Sequence, residues 1–365
     1  MSFSVLALVA GLMPFPVPGT DPGLVNVAVP GDDTPPPGLL AQPSAPVRVV
    51  ATLPVYAAIV RAIGGEEVVV TSIADPREDA HFVRPKPSFA LEIRRTDVFV
   101  TTGLDLELWA PALLDRAANS RVLEGGPGYV SAFTGIRLLD VPASVDRSAG
   151  DIHVYGNPHI FTDPLNAIQI ARNIAVSLKK VAPDRAAVWD EGVARFSDRV
   201  YRKLFGDRLV DIVGGEALAN LAQQSKLGSF LETTQYEGKP LAASLGGWLA
   251  AATPFRGKQI ICYHKDLAYF EQRFDVHCAG FVEAKPGIPP TPGHVARLIG
   301  LMQERNIDVL VASEHFGREK VAAVASRANA TAVMFPAGPG TVTGVTDYFS
   351  LVDLWISRLA GAFHP

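Results

Sequence analysis

Cysteine is nearly absent from this chain: 365 residues hold only Cys262 and Cys278. Neither lies near the amino terminus, so a lipid-anchored start has no support. Charge of one sign is also scarce. The formal net charge is −4, with 33 Lys and Arg against 37 Asp and Glu scattered along the chain, so there is no basic field for a nucleic-acid partner. Long apolar runs are missing too. The opening stretch 3–13 has the length of a signal-peptide core but is too short to cross a bilayer of ~30 Å, and no Lys or Arg precedes it, although a secretory n-region is normally positive. Reaction motifs are also lacking: there is no HExxH, no nucleophile elbow and no phosphate-binding glycine loop. Gly338-Pro339-Gly340 reads as a turn and Gly64-Gly65 as a helix stop.

What is present is apolar mass, 48% of residues, enough for more than one core at this length. Residues 1–46 read as a signal-like segment followed by a Pro- and Gly-rich tether without periodicity, and the folded body is expected from Val47. From there β-rich runs alternate with amphipathic stretches. Val47–Leu53, Val68–Ile73 and Asp97–Thr102 read as strands of a first parallel sheet. Lys258–Tyr263, Val276–Val282, Ile307–Ser313 and Thr331–Phe335 read as a second, with Val55–Ile63, Pro292–Arg305 and Gly317–Asn329 as helices between strands. A helix capped by Asp163, with Pro164 in its first turn and Ile168, Ile170, Ile174, Val176, Leu178 and Val181 around it, stands between the two sets until Pro183. A second, more charged helix is expected to run to about Phe205. Residues 207–256 are Gly- and Ala-rich and yield only a short helix, Glu216–Gln224. The pattern predicts an α/β protein: two doubly wound lobes, each a mainly parallel sheet with flanking helices, joined by a single long connecting helix. The expected boundaries are 47–162 for the first lobe, 163–182 for the connecting helix and 183–365 for the second lobe.

His264 directly follows the apolar run Gln259-Ile260-Ile261-Cys262-Tyr263. A side chain at the carboxyl end of a buried strand enters the crevice where α/β proteins hold ligands, and imidazole is a strong metal donor. His81 and His159 lie in segments of similar character. Each histidine alone reads as well as a capping or core residue, because coordination requires convergence in space.

The surrounding residues narrow the choice. Asp79-Ala80-His81-Phe82-Val83-Arg84-Pro85-Lys86-Pro87-Ser88 resembles the PHxxxPxPS element of the cluster A-I solute-binding proteins, the zinc and manganese receptors of ABC importers. Asn157-Pro158-His159-Ile160-Phe161-Thr162-Asp163-Pro164 resembles the DPHxWxDP element of that family. Tyr263-His264-Lys265-Asp266-Leu267-Ala268-Tyr269-Phe270 resembles its FHDAxxYF element, and Val311-Ala312-Ser313-Glu314-His315-Phe316 its FxEPQF element. The elements occur in the family's order, and the resemblance runs from about Val47 to Leu359. It implies that His81, His159 and His264 are metal ligands gathered from both sides of a cleft between the lobes.

The fourth donor departs from the pattern. Where many relatives place an aspartate after the strand matching Thr331–Phe335, this chain reads Pro336-Ala337-Gly338-Pro339-Gly340. Glu314, which also follows a strand of the second sheet, is the carboxylate placed to reach the crevice, and its other reading is a partner of backbone amides. Asp347 reads as the cap of the last helix. His153, or a water, could complete the shell. Three imidazoles with at most one carboxylate favour Zn²⁺ over Mn²⁺, which prefers oxygen-rich sites. His315, in place of a family proline, reads as a supporting group. Cys262 and Cys278, on neighbouring strands, are expected to be buried thiols, because adjacent parallel strands seldom offer disulfide geometry. The resemblance implies an exported, periplasmic or otherwise extracytoplasmic receptor, not an enzyme and acting as a monomer, that delivers zinc to the membrane subunit of an ABC permease. A zinc hydrolase with Glu314 as base, or a surface adhesin on the same scaffold, are the alternatives.

Overall fold

The structure, a computed structural model, describes residues 45–142, 153–283 and 287–363. The signal-like segment and nearly all of the tether, most of the Ser148–Pro158 loop's first half and His364 lie outside the described residues. The first sheet is parallel throughout. Its strands are β1 (Val47–Ala51), β2 (Val68–Ser72), β3 (Val98–Thr101) and β4 (Tyr129–Ser131), in the order β2-β1-β3-β4. All four residues of β3 are buried, as expected of a parallel strand covered on both faces. A small hairpin, β5 (Gln235–Tyr236) with β6 (Lys239–Pro240), precedes the second parallel sheet of β7 (Gln259–Cys262), β8 (His277–Phe281), β9 (Val309–Ser313) and β10 (Thr331–Phe335), in the order β10-β9-β7-β8.

Strand order fixes where ligands can enter. The chain runs from β1 to β2 on one side and crosses back to β3 on the other. In the second sheet it runs from β7 to β8 and crosses back to β9. Each reversal opens a crevice at the carboxyl ends of the two central strands. His264 follows β7, and Glu314 and His315 follow β9, so the second lobe's candidate donors sit at its reversal.

The helix between the sheets, Pro164–Val181, starts as its sequence dictates. The Asp163 carboxylate accepts from the Leu165 amide at 2.9 Å, and Pro164 gives up no bond in the first turn. Leu165, Ile168, Ile170, Ile174 and Leu178 are buried, whereas Val176 is exposed. This helix packs against the longer one, Ala186–Phe205, which in turn crosses the Pro54–Gly64 helix. That crossing is close: a Cβ on Gly192 would stand 2.0 Å from the Ile63 carbonyl oxygen. The apolar core runs without a break from β1 through these helices to the last helix, Tyr348–Ala362. A second, smaller core lies under β7, β9 and β10.

Residues 207–256 contain short helices at Asp207–Val213, Gly215–Gln223, Leu227–Thr233 and Gly247–Ala251. Most of this stretch leaves and rejoins the body at one point. The Gly246 amide donates to the Phe205 carbonyl at 2.8 Å, and a Cβ on Gly206 would stand 2.6 Å from Gly246 Cα.

The expectation of free thiols is overturned: Cys262 and Cys278 form a disulfide with a Cα separation of 5.5 Å. The reason is local. The β7–β8 register slips between Ile260 and Ile261, pairing Ile260 with Cys278 but Ile261 with Gly280, and this irregularity draws a diagonal pair within bridging distance.

Candidate metal centre

Two of the three sequence-selected histidines share one local device. Asp79 Oδ1 accepts from the His81 backbone N–H at 2.9 Å and lies 2.7 Å from His81 Nδ1. Asn157 Oδ1 accepts from the His159 backbone N–H at 3.0 Å and lies 3.0 Å from His159 Nδ1. An oxygen two residues ahead thus takes both hydrogens, which puts a hydrogen on Nδ1 and turns Nε2 towards the cavity. His81 is carried on a short turn after β2, Ala80–Phe82, and His159 immediately precedes the turn Ile160–Thr162 that leads into the connecting helix. His264 comes from the other lobe. Its Nδ1 is 3.8 Å from Glu283 Oε1, and neither of its ring nitrogens has a hydrogen-bond partner among the described residues.

These rings converge. One nitrogen from each of His81, His159 and His264 lies within 4.8 Å of the other two, and the ring centroids are 5.2–5.5 Å apart. The cavity they line measures about 60 Å³ and is shared with Asp79, Asp266 and His315. That holds an ion and little else, whereas pockets for organic ligands run to roughly 300–1,000 Å³.

Electrostatics keep His159 and His264 neutral. Burial, with His81 and His264 beside it, pushes His159 well below the usual imidazole value. Burial, followed by the nearby His81, takes His264 to about 3. Neutral rings are the form that binds metal. Burial would raise Asp79, but its hydrogen bond to His81 and that ring's charge outweigh this and hold it at about 2. Asp266 goes the other way: burial lifts it to about 6 against the hydrogen bond from Ser313 at 2.6 Å.

Glu314 is not gathered into this cluster. Its Oε1 accepts from Arg358 at 2.9 Å and its Oε2 from Thr341 at 3.4 Å. Arg358, on the last helix, also reaches the Met334 carbonyl, so the carboxylate of Glu314 is neutralised where it stands. Asp347 is the helix cap its sequence suggested, taking the Ser350 amide at 2.8 Å. Pro336 and Ala337 line the cavity and bring no side-chain donor. His315 lies 3.7 Å from Asp79 Oδ2, on the far side of the carboxylate that orients His81.

His153 does arrive. Its Nε2 stands 3.2 Å from His81 Nε2, and its ring centroid is 5.8 Å from that of His159. Asp105 holds it, with Oδ1 2.9 Å from Nδ1 and Oδ2 accepting the Val154 amide at 2.9 Å. The sequence reading missed Asp105 and the supporting roles of Asp79 and Asn157. The repeated Asx-x-His spacing was a signal for the last two. No local signal pointed to Asp105, which lies 48 residues from its histidine.

A family description matches residues 49–202 and 245–362: ZnuA, zinc-uptake complex component A, periplasmic. The chain belongs to this family. Residues 203–244, most of the excursion that returns at Gly246, fall outside the match. Among curated relatives, the metal ABC transporter substrate-binding lipoprotein SsaB of Streptococcus sanguinis is 23% identical over 157 residues, 43% of this chain and 49% of that protein. The iron-binding protein YfeA of Yersinia pestis is 22% identical over 153 residues, 42% of this chain and 45% of that protein. The chain spans about half the length of the curated relatives it matches. A crystal structure of ZnuA superposes with a TM-score of 0.63 at 18% identity, covering 87% of this chain and 99% of that one. A Mn-bound periplasmic metal-binding protein from Candidatus Liberibacter asiaticus gives 0.59 at 15%, with the same coverage. These likenesses fix the two-lobed fold.

Membership in the ZnuA family places the chain outside the cytoplasm, as its opening residues led one to expect. A disulfide suits that oxidising setting. Among the described residues, no helix is long and apolar enough to cross a membrane.

Proposed function

We propose that this ZnuA-family protein is an exported receptor that captures Zn²⁺ between its lobes through His81, His159 and His264 and passes it, as a monomer, to the membrane subunit of an ABC permease. The observation that carries the reading is the convergence of three imidazoles from two lobes within 4.8 Å of one another. Zinc is favoured over manganese because the gathered donors are nitrogens and Glu314 is spent on Arg358. Transport is favoured over hydrolysis because the cavity has no room for an organic substrate and Glu314, the candidate base, faces an arginine. The test is metal analysis of protein purified without chelator, followed by zinc titration of His81→Ala, His159→Ala and His264→Ala. One equivalent of zinc in the wild type and a large loss of affinity in each variant are expected. Protein that holds no stoichiometric zinc, or three variants that bind as the wild type does, would overturn the proposal.

A further inference from the structure

The geometry points to His153 as the fourth nitrogen donor of the centre, with Asp105 as its positioning residue, so that the shell is made of four imidazoles and contains no carboxylate. This inference rests on the metal-receptor reading and says what selects the metal.

Both His81 and His153 present Nδ1 to a carboxylate oxygen, Asp79 at 2.7 Å and Asp105 at 2.9 Å. An ionised carboxylate only accepts, so each Nδ1 carries a hydrogen and Nε2 is the ring nitrogen turned to the cavity. Those two nitrogens face each other at 3.2 Å. Two ring nitrogens at that distance share either a proton or a metal cation, and the same spacing serves both. Donors bound to one tetrahedral Zn²⁺ at ~2.0–2.1 Å stand ~3.3–3.4 Å apart, close to the separation found.

The support around His153 resembles that of the other ligands. Asp105 grips the ring through Nδ1 and the backbone through the next amide, Val154. His81 and His159 are each likewise held by one side chain through ring and backbone. A histidine merely covering the cleft has no need of such a clamp. Ring centroids place His153 5.2 Å from His81 and 5.8 Å from His159, so it joins the three converging rings on the side of those two. The position that would supply a family carboxylate is instead Pro336 and Ala337. An all-nitrogen shell disfavours Mn²⁺, which prefers oxygen donors, and so makes His153 a residue that determines specificity.

The experiment compares full-length wild type with His153→Ala, Asp105→Ala, Asp105→Asn and His159→Ala, each checked for an unchanged metal-free melting temperature. Chelator-competition titrations with Zn²⁺ and Mn²⁺ give affinity, and X-ray absorption of the zinc-loaded proteins counts imidazoles. Wild type is expected to show four imidazoles. His153→Ala should show three, a zinc affinity at least ~10–100-fold weaker and a reduced preference for zinc over manganese. Asp105→Ala should lose about 10-fold, with Asp105→Asn between it and wild type, because an amide oxygen can still accept from Nδ1. If His159→Ala loses zinc while His153→Ala keeps wild-type affinity and imidazole count, this inference fails and the receptor reading stands. If wild type binds no stoichiometric zinc, both fail.

Discussion

Arg273 and Asp163 join the two lobes beside the candidate centre, and replacing Arg273 by methionine tests whether that link is structural. Arg273 donates through Nε to Asp163 Oδ1 and through Nη2 to Oδ2, both at 2.8 Å, with side chains only 9% and 6% exposed. Asp163 caps the connecting helix, and Arg273 belongs to the helix Ala268–Phe274 that follows His264. Arg273→Met keeps most of the volume but leaves a buried carboxylate with one backbone donor, the Leu165 amide, and the helix amino terminus. Stranding one member of a buried pair costs ~3–5 kcal/mol, and because the helix end compensates part of the charge we expect about 3 kcal/mol. For a body of about 320 residues the unfolding entropy is about 0.7 kcal/mol per degree, so the melting temperature should fall by roughly 4 °C. Asp163→Asn in the Arg273→Met background retains the cap and removes the stranded charge, and should recover more than half of the loss. Calorimetry together with urea unfolding of the metal-free proteins reads both numbers. A loss under ~1 kcal/mol in Arg273→Met, or a double variant no more stable than the single one, would refute the reasoning.

Other perturbations probe the supports of the site. Asn157 holds His159 and donates to the Lys265 carbonyl at 2.9 Å and to Asp140 at 3.2 Å, so Asn157→Ala should weaken zinc binding ~10–100-fold, and an unchanged affinity in a competition titration would remove Asn157 from the site. His264 stays neutral in the native state down to about 3, whereas the unfolded chain takes up its proton near 6.5. Its contribution to stability is therefore complete above 6.5 and is lost as the pH falls from there towards 3, by up to ~1.4 kcal/mol per pH unit. Asp266, raised to about 6, titrates in the opposite sense, so the readout is the difference in pH slope between metal-free wild type and His264→Asn; identical slopes would contradict the assigned protonation. The Cys262–Cys278 bridge spans a sequence separation of 16, and reducing it should cost ~3 kcal/mol, seen as a lower urea midpoint with reductant; a Cys262→Ser/Cys278→Ser protein as stable as the oxidised one would deny it that role.

Much of the fold was legible because its signals are local. Thr331–Phe335 and Pro292–Arg305 have the expected boundaries, and the connecting helix starts and stops at Pro164 and before Pro183, because β-branched runs, caps and prolines act within a few residues. Strand β4 and the helices Pro87–Arg94 and Ala110–Ala117 went unread, being too short to show a period. Regular parallel pairing would keep Cys262 and Cys278 apart, and the one-residue slip in β7–β8 that joins them is set by packing that no single strand records.

The same division runs through the site. Sequence by itself determined which imidazoles are available, where two strand ends would deliver them, and, through Asx-x-His, how His81 and His159 are oriented, since each of these depends on neighbours along the chain. Only the tertiary structure decided the rest. Glu314 met Arg358 from the last helix, and His153 met Asp105 from the first lobe. Both outcomes depend on which distant group folding brings within 3 Å, because a carboxylate goes to the nearest donor and that donor is chosen by topology.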